Sequence, residues 1–528
     1  MTAAWTAPER YNFARDTIGR LAAERPDNRA LLWVGPDGAT IDRSFAQIAE
    51  AGARAARVLA EAGVTRGDTV LLLMSREIEW WELMLGCVTL GAIASPGTVQ
   101  LSAKDIAYRA RAAGARCVVG TGDTAPRVEA AALSADLARV HVGGPRQGWI
   151  DYAAARAVVR PFDGFADTGA DEEALCYFTS GTTGQPKMTT HGHGYALAHR
   201  ITGEYWLDLK PGDLHWNLSD TGWAKAAWSS LFAPWQQGAA IFVHHGAGFD
   251  PVATMDLLTH FPITTLCAPP TAYRMFVRAA LGDRVFPALR HCVSAGEPLN
   301  PEVIDLWRTA TGLDIHDGYG QTETVLLCAN RPGATRQGSM GRPAPPFDLV
   351  VIDETGTPLP PGIEGDIALR VDGVRPPGLF LGYRDDPDRT AGVFRHGWYL
   401  TGDRATVDEE GFFWFVGRSD DVILSSGYRI GPFEVESALF EHPAVAESAV
   451  VASPDPTRGE VVKAFVVLAA GHAPSDDLVR ELQDHVKATT APYKYPRRIS
   501  FVEKLPKTVS GKIRRKELRD GEWAPVGS

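Results

Sequence analysis

Hydrophobic residues in the N-terminal half follow two alternating patterns, one helical and one typical of buried strands. The first helical segment ends at a glycine, and the wholly apolar DTVLLLM follows it as a short predicted strand. That first predicted helix is SFAQIAEAGARAARVLAEAGV, and the further ones are EWWELMLGCVTLGA and AKDIAYRARAAG. Further predicted strands are RCVVG, AAIFV, ITTLCAP and LRHCVSAG. Such alternation indicates an α/β fold with parallel-rich sheets, in which ligands bind beyond the carboxyl ends of strands.

The most apolar window, LMLGCVTLGAIASPG, is too short to span a bilayer. We interpret it as a buried helix that leads into a turn at Pro96.

The pattern changes twice in the C-terminal half. From Arg336 to Trp414, glycine and proline become frequent, and LVVID, GDIALRV and FFWFVG predict a small β subdomain. After the polar RSDD at 418–421, the segments PFEVESALF, ESAVVAS, VVKAFVVL, DDLVRELQDHV and ISFVE predict a compact α+β unit. We therefore predict a large N-terminal domain of several subdomains (1–419) and a small mobile C-terminal domain (420–528), with a hinge near Asp420.

Composition narrows the class of protein. The chain has 528 residues, more than one core of ordinary size accommodates. A formal net charge of −11 argues against nucleic acid as the main partner. The six cysteines have no metal-ligand spacing, and the N-terminus lacks the pattern of a secretory signal. We expect reduced thiols, a cytoplasmic location and no membrane span.

A loop rich in glycine and hydroxyl side chains, YFTSGTTGQPK at 177–187, carries the first chemical signal. It is not a Walker A loop, because Gln185 and Pro186 separate Gly184 from Lys187 and Pro186 disfavours a helix there. Glycine amides, hydroxyl donors and a lysine are nevertheless suited to bind a polyphosphate.

The loop resembles the signature of the adenylate-forming superfamily, which includes acyl-CoA synthetases, adenylation domains of peptide synthetases and luciferases. Four further segments agree in the same order: DGYGQTET (317–324), WYLTGD (398–403), GRSDDVILSSGYRIGPFEVE (417–436) and PKTVSGKIRR (506–515). Three others are similar to the medium-chain acyl-CoA synthetases: DTGWAKAAWSS (220–230), SAGEPLNPEV (294–303) and APYKYPR (491–497).

The resemblance implies a reaction in two steps, with ATP, Mg²⁺, CoA and a carboxylic acid as ligands. The acid's carboxylate attacks the α-phosphate of ATP and releases pyrophosphate, and CoA then displaces AMP from the acyl-adenylate. Catalysis of the first step is mainly positioning and charge neutralisation.

The resemblance also assigns residues to this chemistry. Lys512 is expected to contact the carboxylate and α-phosphate, Thr322 to bond the α-phosphate, and Glu323 to bind Mg²⁺. The residues expected at the β- and γ-phosphates are Thr179, Ser180, Gly181, Thr182, Thr183, Gly184 and Lys187. Those expected around the rest of the nucleotide are Gly296, Glu297, Pro298, Asp317, Gly318, Tyr319, Gly320, Gln321, Asp403, Arg418 and Arg429.

The second step is expected to use the opposite face of the C-terminal domain, which rotates about Asp420 between the steps. The residues that the resemblance assigns to CoA are Ser426, Gly427, Tyr428, Arg458, Lys494 and Arg497. Acetylation of Lys512 by a lysine acetyltransferase, reversed by a deacetylase, is expected to silence adenylation, because it removes the charge.

The acid is predicted from the residues around the acyl pocket, to which we assign Trp223, Gly320 and Thr322. Acetate-specific relatives have tryptophan where this chain has Gly320, so we expect room for several methylenes and a medium-chain fatty acid. Trp228 is a second candidate wall. Asp220 to Trp223 stand where many relatives carry histidine.

Several alternatives remain open on the sequence. They are an aryl acid such as benzoate, a branched acid, an enzyme that loads a carrier protein, a luciferase-like oxidation and a non-enzymatic nucleotide-binding protein. The sequence leaves the oligomeric state open.

Overall fold

A computed structural model describes residues 8–179, 186–246, 248–279, 281–282, 284–373, 375–425, 428–507 and 512–523. The strands before the small β subdomain are β1 (Arg29–Val34), β2 (Thr40–Ser44), β3 (Thr69–Leu73), β4 (Ile93–Gly97), β5 (Ala115–Thr121), β6 (Ala138–Val142), β7 (Ile150–Asp151), β8 (Glu173–Thr179), β9 (Lys187–Gly192), β10 (Leu214–Asn217), β11 (Ala240–His244), β12 (Thr265–Ala268), β13 (His291–Ala295), β14 (Ile315–Gly320), β15 (Leu326–Ala329) and β16 (Arg342–Pro343). Those that follow are β17 (Leu349–Ile352), β18 (Gly365–Arg370), β19 (Gly382–Tyr383), β20 (Phe394–Arg395), β21 (Trp398–Val407), β22 (Phe413–Arg418), β23 (Ile423–Ser425), β24 (Tyr428–Ile430), β25 (Val445–Asp455), β26 (Gly459–Leu468) and β27 (Arg498–Phe501).

The helices lie on both sides of these sheets. They are α1 (Arg20–Glu24), α2 (Phe45–Glu61), α3 (Glu79–Leu90), α4 (Ala103–Ala112), α5 (Ala125–Ala130), α6 (Tyr152–Val158), α7 (Gly194–Ile201), α8 (Ala224–Ala227), α9 (Ala233–Gln236), α10 (Pro251–His260), α11 (Pro270–Arg278), α12 (Pro301–Thr311), α13 (Pro387–Gly392), α14 (Pro432–Phe440), α15 (Asp476–Thr489) and α16 (Arg515–Trp523). Wider π-helical turns adjoin α1, α7 and α8 at Ala14–Gly19, Thr202–Trp206 and Trp228–Phe232, and a 3₁₀ turn covers Pro492–Lys494.

Two large sheets carry the N-terminal part of the chain, as the alternating pattern predicts. One has the order β16-β15-β14-β13-β12-β10-β11-β1-β2, and the other β19-β9-β8-β4-β3-β5-β6-β7. The central strands of both are parallel, and antiparallel pairs such as β8 with β9 and β14 with β15 lie toward the edges. The α/β prediction is confirmed, with edges more mixed than alternation alone indicates.

Two glycines in the apolar N-terminal region have different structural reasons, close helix packing at Gly86 and a helix end at Gly91. Helix α2 begins with a reciprocal cap, in which Ser44 and Gln47 each accept a hydrogen bond from the other's backbone amide. Helix α3 packs on α2 so tightly that a Cβ on Gly86 would lie 2.9 Å from the Ala56 nitrogen. The expected turn at Pro96 is wrong: α3 ends at Gly91, whose φ is +70°, and Pro96 then lies within the buried strand β4.

The C-terminal half contains the two smaller units that the sequence predicts. Strands β17, β18, β21, β20 and β22 form the sheet of the β subdomain, and β24, β23, β26, β25 and β27 form the sheet after residue 420. The second sheet has its own core with α14 and α15, built around residues such as Val435, Leu439 and Leu482.

No described helix is both long and apolar enough to cross a membrane. All six cysteines are buried and form no disulfide.

Candidate active site

A lysine, a glutamate and a tyrosine form a closed triangle of hydrogen bonds at one edge of the second large sheet. The Lys187 ammonium donates to Glu323 Oε1 (2.8 Å) and to the Tyr383 hydroxyl (2.7 Å). The Tyr383 hydroxyl donates to the same Glu323 oxygen at 2.9 Å. Burial alone would raise the pKa of Glu323, but the Lys187 charge and these bonds bring it below its ordinary value. The carboxylate is therefore ionised at neutral pH.

Strand β9 connects this triangle to the turn that follows β14. Lys187 opens β9, and His191 points from the same face four residues later, as the two-residue period of a strand requires. Its Nε2 lies 2.7 Å from the backbone oxygen of Thr322. Burial lowers the pKa of His191 to about 4, so the ring is neutral and Nε2 donates this bond. Strand β9 thus contacts both residues of the turn, Thr322 through His191 and Glu323 through Lys187.

A buried carboxylate lies on the other side of the same turn. Asp403 Oδ2 accepts from the Tyr319 hydroxyl at 2.5 Å and from Gln321 Nε2 at 2.7 Å. Arg418 faces Asp403 across β21 and β22, with 3.4 Å between nitrogen and oxygen. Burial raises the pKa of Asp403, and the Arg418 charge opposes that effect.

The loop at 296–298 lies at the carboxyl end of β13, where a parallel sheet is expected to bind ligands. Gly296 has a φ of +111°, which favours glycine, and the Glu297 carboxylate accepts from Arg274 at 2.8 Å. The buried Asp317 lies on the adjoining strand β14, and burial raises its pKa to about 8. Lys225 donates to the Ala295 oxygen at 2.6 Å, which ties this loop to α8.

The space beside Gly320 is bordered by a tryptophan from another element. A Cβ on Gly320 would lie 2.7 Å from the Trp228 ring and 2.5 Å from the Val325 oxygen. The Trp228 indole donates to the Tyr195 hydroxyl, and both side chains are buried. Trp223 is half-buried and precedes α8. The room that Gly320 leaves is therefore limited by Trp228.

The C-terminal domain faces this cluster. The Lys512 charge lowers the pKa of Asp403 and that of Lys225, although burial dominates both shifts. Asn300 Nδ2 donates to Ser437 Oγ at 3.1 Å, and Arg278 donates to the Val445 oxygen at 3.0 Å. Lys512 is thus close enough for its charge to act on both Asp403 and Lys225.

The remaining predicted residues are placed as follows. Thr179 ends β8 next to Thr189, while Gly318, Pro298 and Arg429 lie on β14, in the 296–298 loop and on β24. The residues assigned to CoA engage partners within the C-terminal domain: Tyr428 stacks on Tyr493 (4.3 Å), Lys494 binds Glu434 (2.6 Å), Arg497 donates to Tyr495 (2.8 Å), and the Arg458 amide donates to Asp455 (3.0 Å). The predicted residues Ser180, Gly181, Thr182, Thr183, Gly184, Ser426 and Gly427 lie outside the described residues.

The donor set suits Mg²⁺ only when a nucleotide supplies further oxygens. No group of three or more His, Cys, Asp or Glu side chains among the described residues can hold a metal ion. Mg²⁺ is commonly bound by one or two carboxylates together with substrate phosphates, and the ionised Glu323 offers one such hard ligand.

Two family models match this chain. The family described as AMP-binding enzyme matches residues 19–384, and the AMP-binding enzyme C-terminal domain matches residues 434–512. The chain belongs to the AMP-binding enzyme family. Like other members, this AMP-binding enzyme has a large adenylate-forming fold and a smaller C-terminal α+β domain.

Curated relatives match it over nearly their whole length. The acyl-coenzyme A synthetase ACSM4 of Homo sapiens is 50% identical, and ACSM3 of Mus musculus is 49% identical, each over 98% of this chain and 91% of the relative. Among solved structures, the anthranilate CoA ligase AuaEII in complex with anthranoyl-AMP has a TM-score of 0.89 at 32% identity, covering 98% of both chains. The Brucella canis acyl-CoA synthetase has a TM-score of 0.75 at 36% identity, covering 98% of this chain and 96% of that one.

Sequence reasoning missed three residues of this site. His191 shares a strand face with Lys187, so the two-residue period was a usable signal. Lys225 lies within a quoted motif but looks like an ordinary solvated charge. Tyr383 lies on a strand of two residues, for which the sequence offers no periodicity.

Proposed function

We propose that this protein is an ATP-dependent acyl-CoA synthetase, acting on medium-chain carboxylic acids. It converts acid, ATP and CoA into acyl-CoA, AMP and pyrophosphate through an acyl-adenylate. The observation that carries this proposal is that the turn after β14 joins the ion pair of Lys187 and Glu323 to the buried Asp403. The Lys512 charge acts on the same Asp403. The family match and the acyl-CoA synthetase relatives support the same activity.

In the first step, the bond formed joins a carboxylate oxygen of the acid to the α-phosphorus of ATP. The bond broken joins that phosphorus to the oxygen of pyrophosphate, which leaves with the electron pair. We assign Lys187 to the leaving phosphates, and Lys512 with Thr322 to the charge on the reacting phosphorus. Mg²⁺, when bound with ATP at Glu323, supplies further positive charge to these oxygens. Asp403 is suited to accept both ribose hydroxyls, because one carboxylate can take two such donors.

In the second step, the CoA thiolate attacks the acyl carbon and AMP leaves with its phosphate oxygen. We propose that the C-terminal domain turns about Asp420 to present the 426–428 segment for this step, with Arg458, Lys494 and Arg497 near the CoA phosphates. The Arg519 guanidinium donates to the Asp420 oxygen at 2.5 Å and to Asp421 at 3.1 Å, so a charged contact already lies at the proposed hinge.

We favour a medium-chain acid because this chain has Gly320 where acetate-specific relatives have tryptophan. The Trp228 ring borders the same position and limits the room there. An aromatic acid is the second candidate, since the compared structures include an anthranilate CoA ligase and a benzoate CoA ligase. Turnover of acids from acetate to dodecanoate, together with benzoate, separates the two. A sharp optimum at acetate would contradict both.

Location and regulation are further parts of the proposal. Buried, unpaired cysteines suit a reducing compartment such as the cytoplasm. The curated relatives are described as mitochondrial, so fractionation of cells is the deciding measurement. We also propose that acetylation of Lys512 suppresses the first step, which mass spectrometry with activity before and after deacetylation would test.

The decisive experiment separates the two half-reactions in the Lys512→Ala variant. It is expected to lose formation of AMP and pyrophosphate from acid and ATP, yet to convert supplied acyl-adenylate and CoA to thioester at nearly the normal rate. Lys504→Ala, an exposed lysine of the same domain, is the matched control. Equal loss of both half-reactions, or release of ADP and inorganic phosphate by the unaltered enzyme, would overturn the proposed function.

A further inference from the structure

Tyr383 belongs to none of the sets of residues assigned above to ATP, Mg²⁺, CoA or acid. Its hydroxyl nevertheless contacts both Lys187 and Glu323, which we propose bind the outer phosphates and the metal, respectively. The Lys187 nitrogen also lies 4.2 Å from the centre of the Tyr383 ring. Tyr383 is buried, with 6% of its surface exposed to solvent.

The backbone around Tyr383 is fixed on both sides. Strand β19 pairs with β9, which places Tyr383 opposite Thr189 on the strand that Lys187 opens. The Tyr383 amide donates to the Thr390 hydroxyl at 2.8 Å. Three residues earlier, the Phe380 amide donates to the Glu323 backbone oxygen at 2.8 Å. The segment 380–383 therefore connects the backbone of Glu323 to strand β9, which carries Lys187.

Each pair of groups in the triangle is joined by one hydrogen bond. The ammonium of Lys187 gives one hydrogen to the phenol oxygen and one to the carboxylate, and the single phenol hydrogen goes to the carboxylate. When Lys187 turns toward a phosphate or Glu323 toward a metal, the phenol can keep its bond to the other. A hydroxyl in this position limits how far either charged group moves.

We infer that Tyr383 is a positioning residue for the β- and γ-phosphates of ATP, acting by orienting the Lys187 ammonium and the Glu323 carboxylate. This inference rests on the proposed function, because it takes the roles of those two residues from it. Its consequence is selective: loss of the hydroxyl affects ligands that carry the outer phosphates and spares those that lack them.

The test measures binding of Mg·ATP and of AMP to the full-length Tyr383→Phe variant by calorimetry, without acid or CoA. Phenylalanine keeps the ring over Lys187 and removes only the hydroxyl. Hydrogen bonds to charged groups are strong enough that we expect the Kd for Mg·ATP to rise about tenfold or more. The Kd for AMP is expected to stay within about twofold, because AMP has no phosphate at this position.

Tyr152→Phe is the matched control. Tyr152 is a buried phenol that also donates to a carboxylate, Glu82, at 2.8 Å, with Arg156 beside that carboxylate at 3.1 Å. It is expected to change neither Kd.

Two results would overturn the inference: an unchanged Kd for Mg·ATP in Tyr383→Phe, or a parallel loss of ATP and AMP binding, which indicates general damage to the site. The proposed function fails by a different result, namely that the unaltered protein binds no ATP. AMP binding by the variant also reports that it has folded.

Discussion

At the scale of single residues, Trp228 borders Gly320, beside which we propose that the acyl chain binds. Its ring lies against Gly320, and its indole is held by Tyr195. We predict that Trp228→Leu shifts the preferred acid toward longer or more branched chains. Each additional buried methylene is worth about 0.8 kcal/mol, or roughly fourfold in kcat/KM. The measurement is kcat/KM across a series of acids.

The control for that change is Tyr195→Phe. It removes the hydroxyl that holds Trp228 but leaves its volume in place, so the rank order of acids should stay the same. A Trp228→Leu enzyme with the original rank order would show that this indole does not line the acyl pocket.

Residue identities were predictable only where a motif carries them. Lys187, Glu323 and Asp403 stand in strings specific enough to be recognised, and the structure places them in one cluster. Trp228 borders Gly320 from a different element, so a linear comparison at Gly320 overestimates the room. Tertiary contacts of this kind leave no trace in local spacing.

At the scale of elements, the connection between β10 and α8 depends on a glycine that touches the other sheet. A Cβ on Gly222 would lie 2.2 Å from the Thr98 nitrogen and 2.5 Å from its Cα. Because the contact is with backbone, no side-chain rotation relieves it. We predict that Gly222→Ala lowers the free energy of unfolding by about 1–3 kcal/mol. Urea denaturation would measure this.

Gly122→Ala provides the comparison, since nothing lies within 4 Å of a Cβ at that position. It is expected to leave stability nearly unchanged. If Gly222→Ala left stability equally unchanged, the distance between Gly222 and the Thr98 backbone would have to be larger than in this structure.

Elements with a clear period were predicted with the correct type. The wholly apolar β3 and the helices α2 and α3 are examples. Strand β4 was missed because its Pro96 indicates a turn, although parallel pairing with β3 accommodates it. Short strands such as β19 exist only because β9 lies beside them, and no pattern inside two residues predicts that.

At the scale of the whole molecule, a few contacts join the C-terminal domain to the N-terminal part of the chain, and we propose that they favour the orientation needed for the first step. Arg278 donates to the Val445 oxygen and lies 4.7 Å from the centre of the Phe440 ring. We predict that Arg278→Ala slows adenylate formation up to about tenfold, the equivalent of roughly 1.4 kcal/mol. Conversion of supplied acyl-adenylate to thioester should be unaffected. Single-turnover assays of each half-reaction check both parts.

Arg308→Ala is a suitable control, because Arg308 pairs with Asp305 and Asp314 within the N-terminal domain. It should alter neither rate. Slowing of both half-reactions by Arg278→Ala would mean that this arginine supports the fold rather than one orientation.

The pairing of Lys187 with Glu323 has a consequence for which solutes the enzyme can admit. A free divalent cation that bound Glu323 would leave the partly buried Lys187 ammonium without its carboxylate partner. A metal-free polyphosphate that bound Lys187 would likewise leave the Glu323 carboxylate without its ammonium partner. A ligand that carries both a divalent cation and phosphates can pair with the carboxylate and the ammonium at the same time. If the proposed roles of Lys187 and Glu323 hold, we expect the magnesium complex of ATP to bind here in preference to free Mg²⁺ or free phosphate.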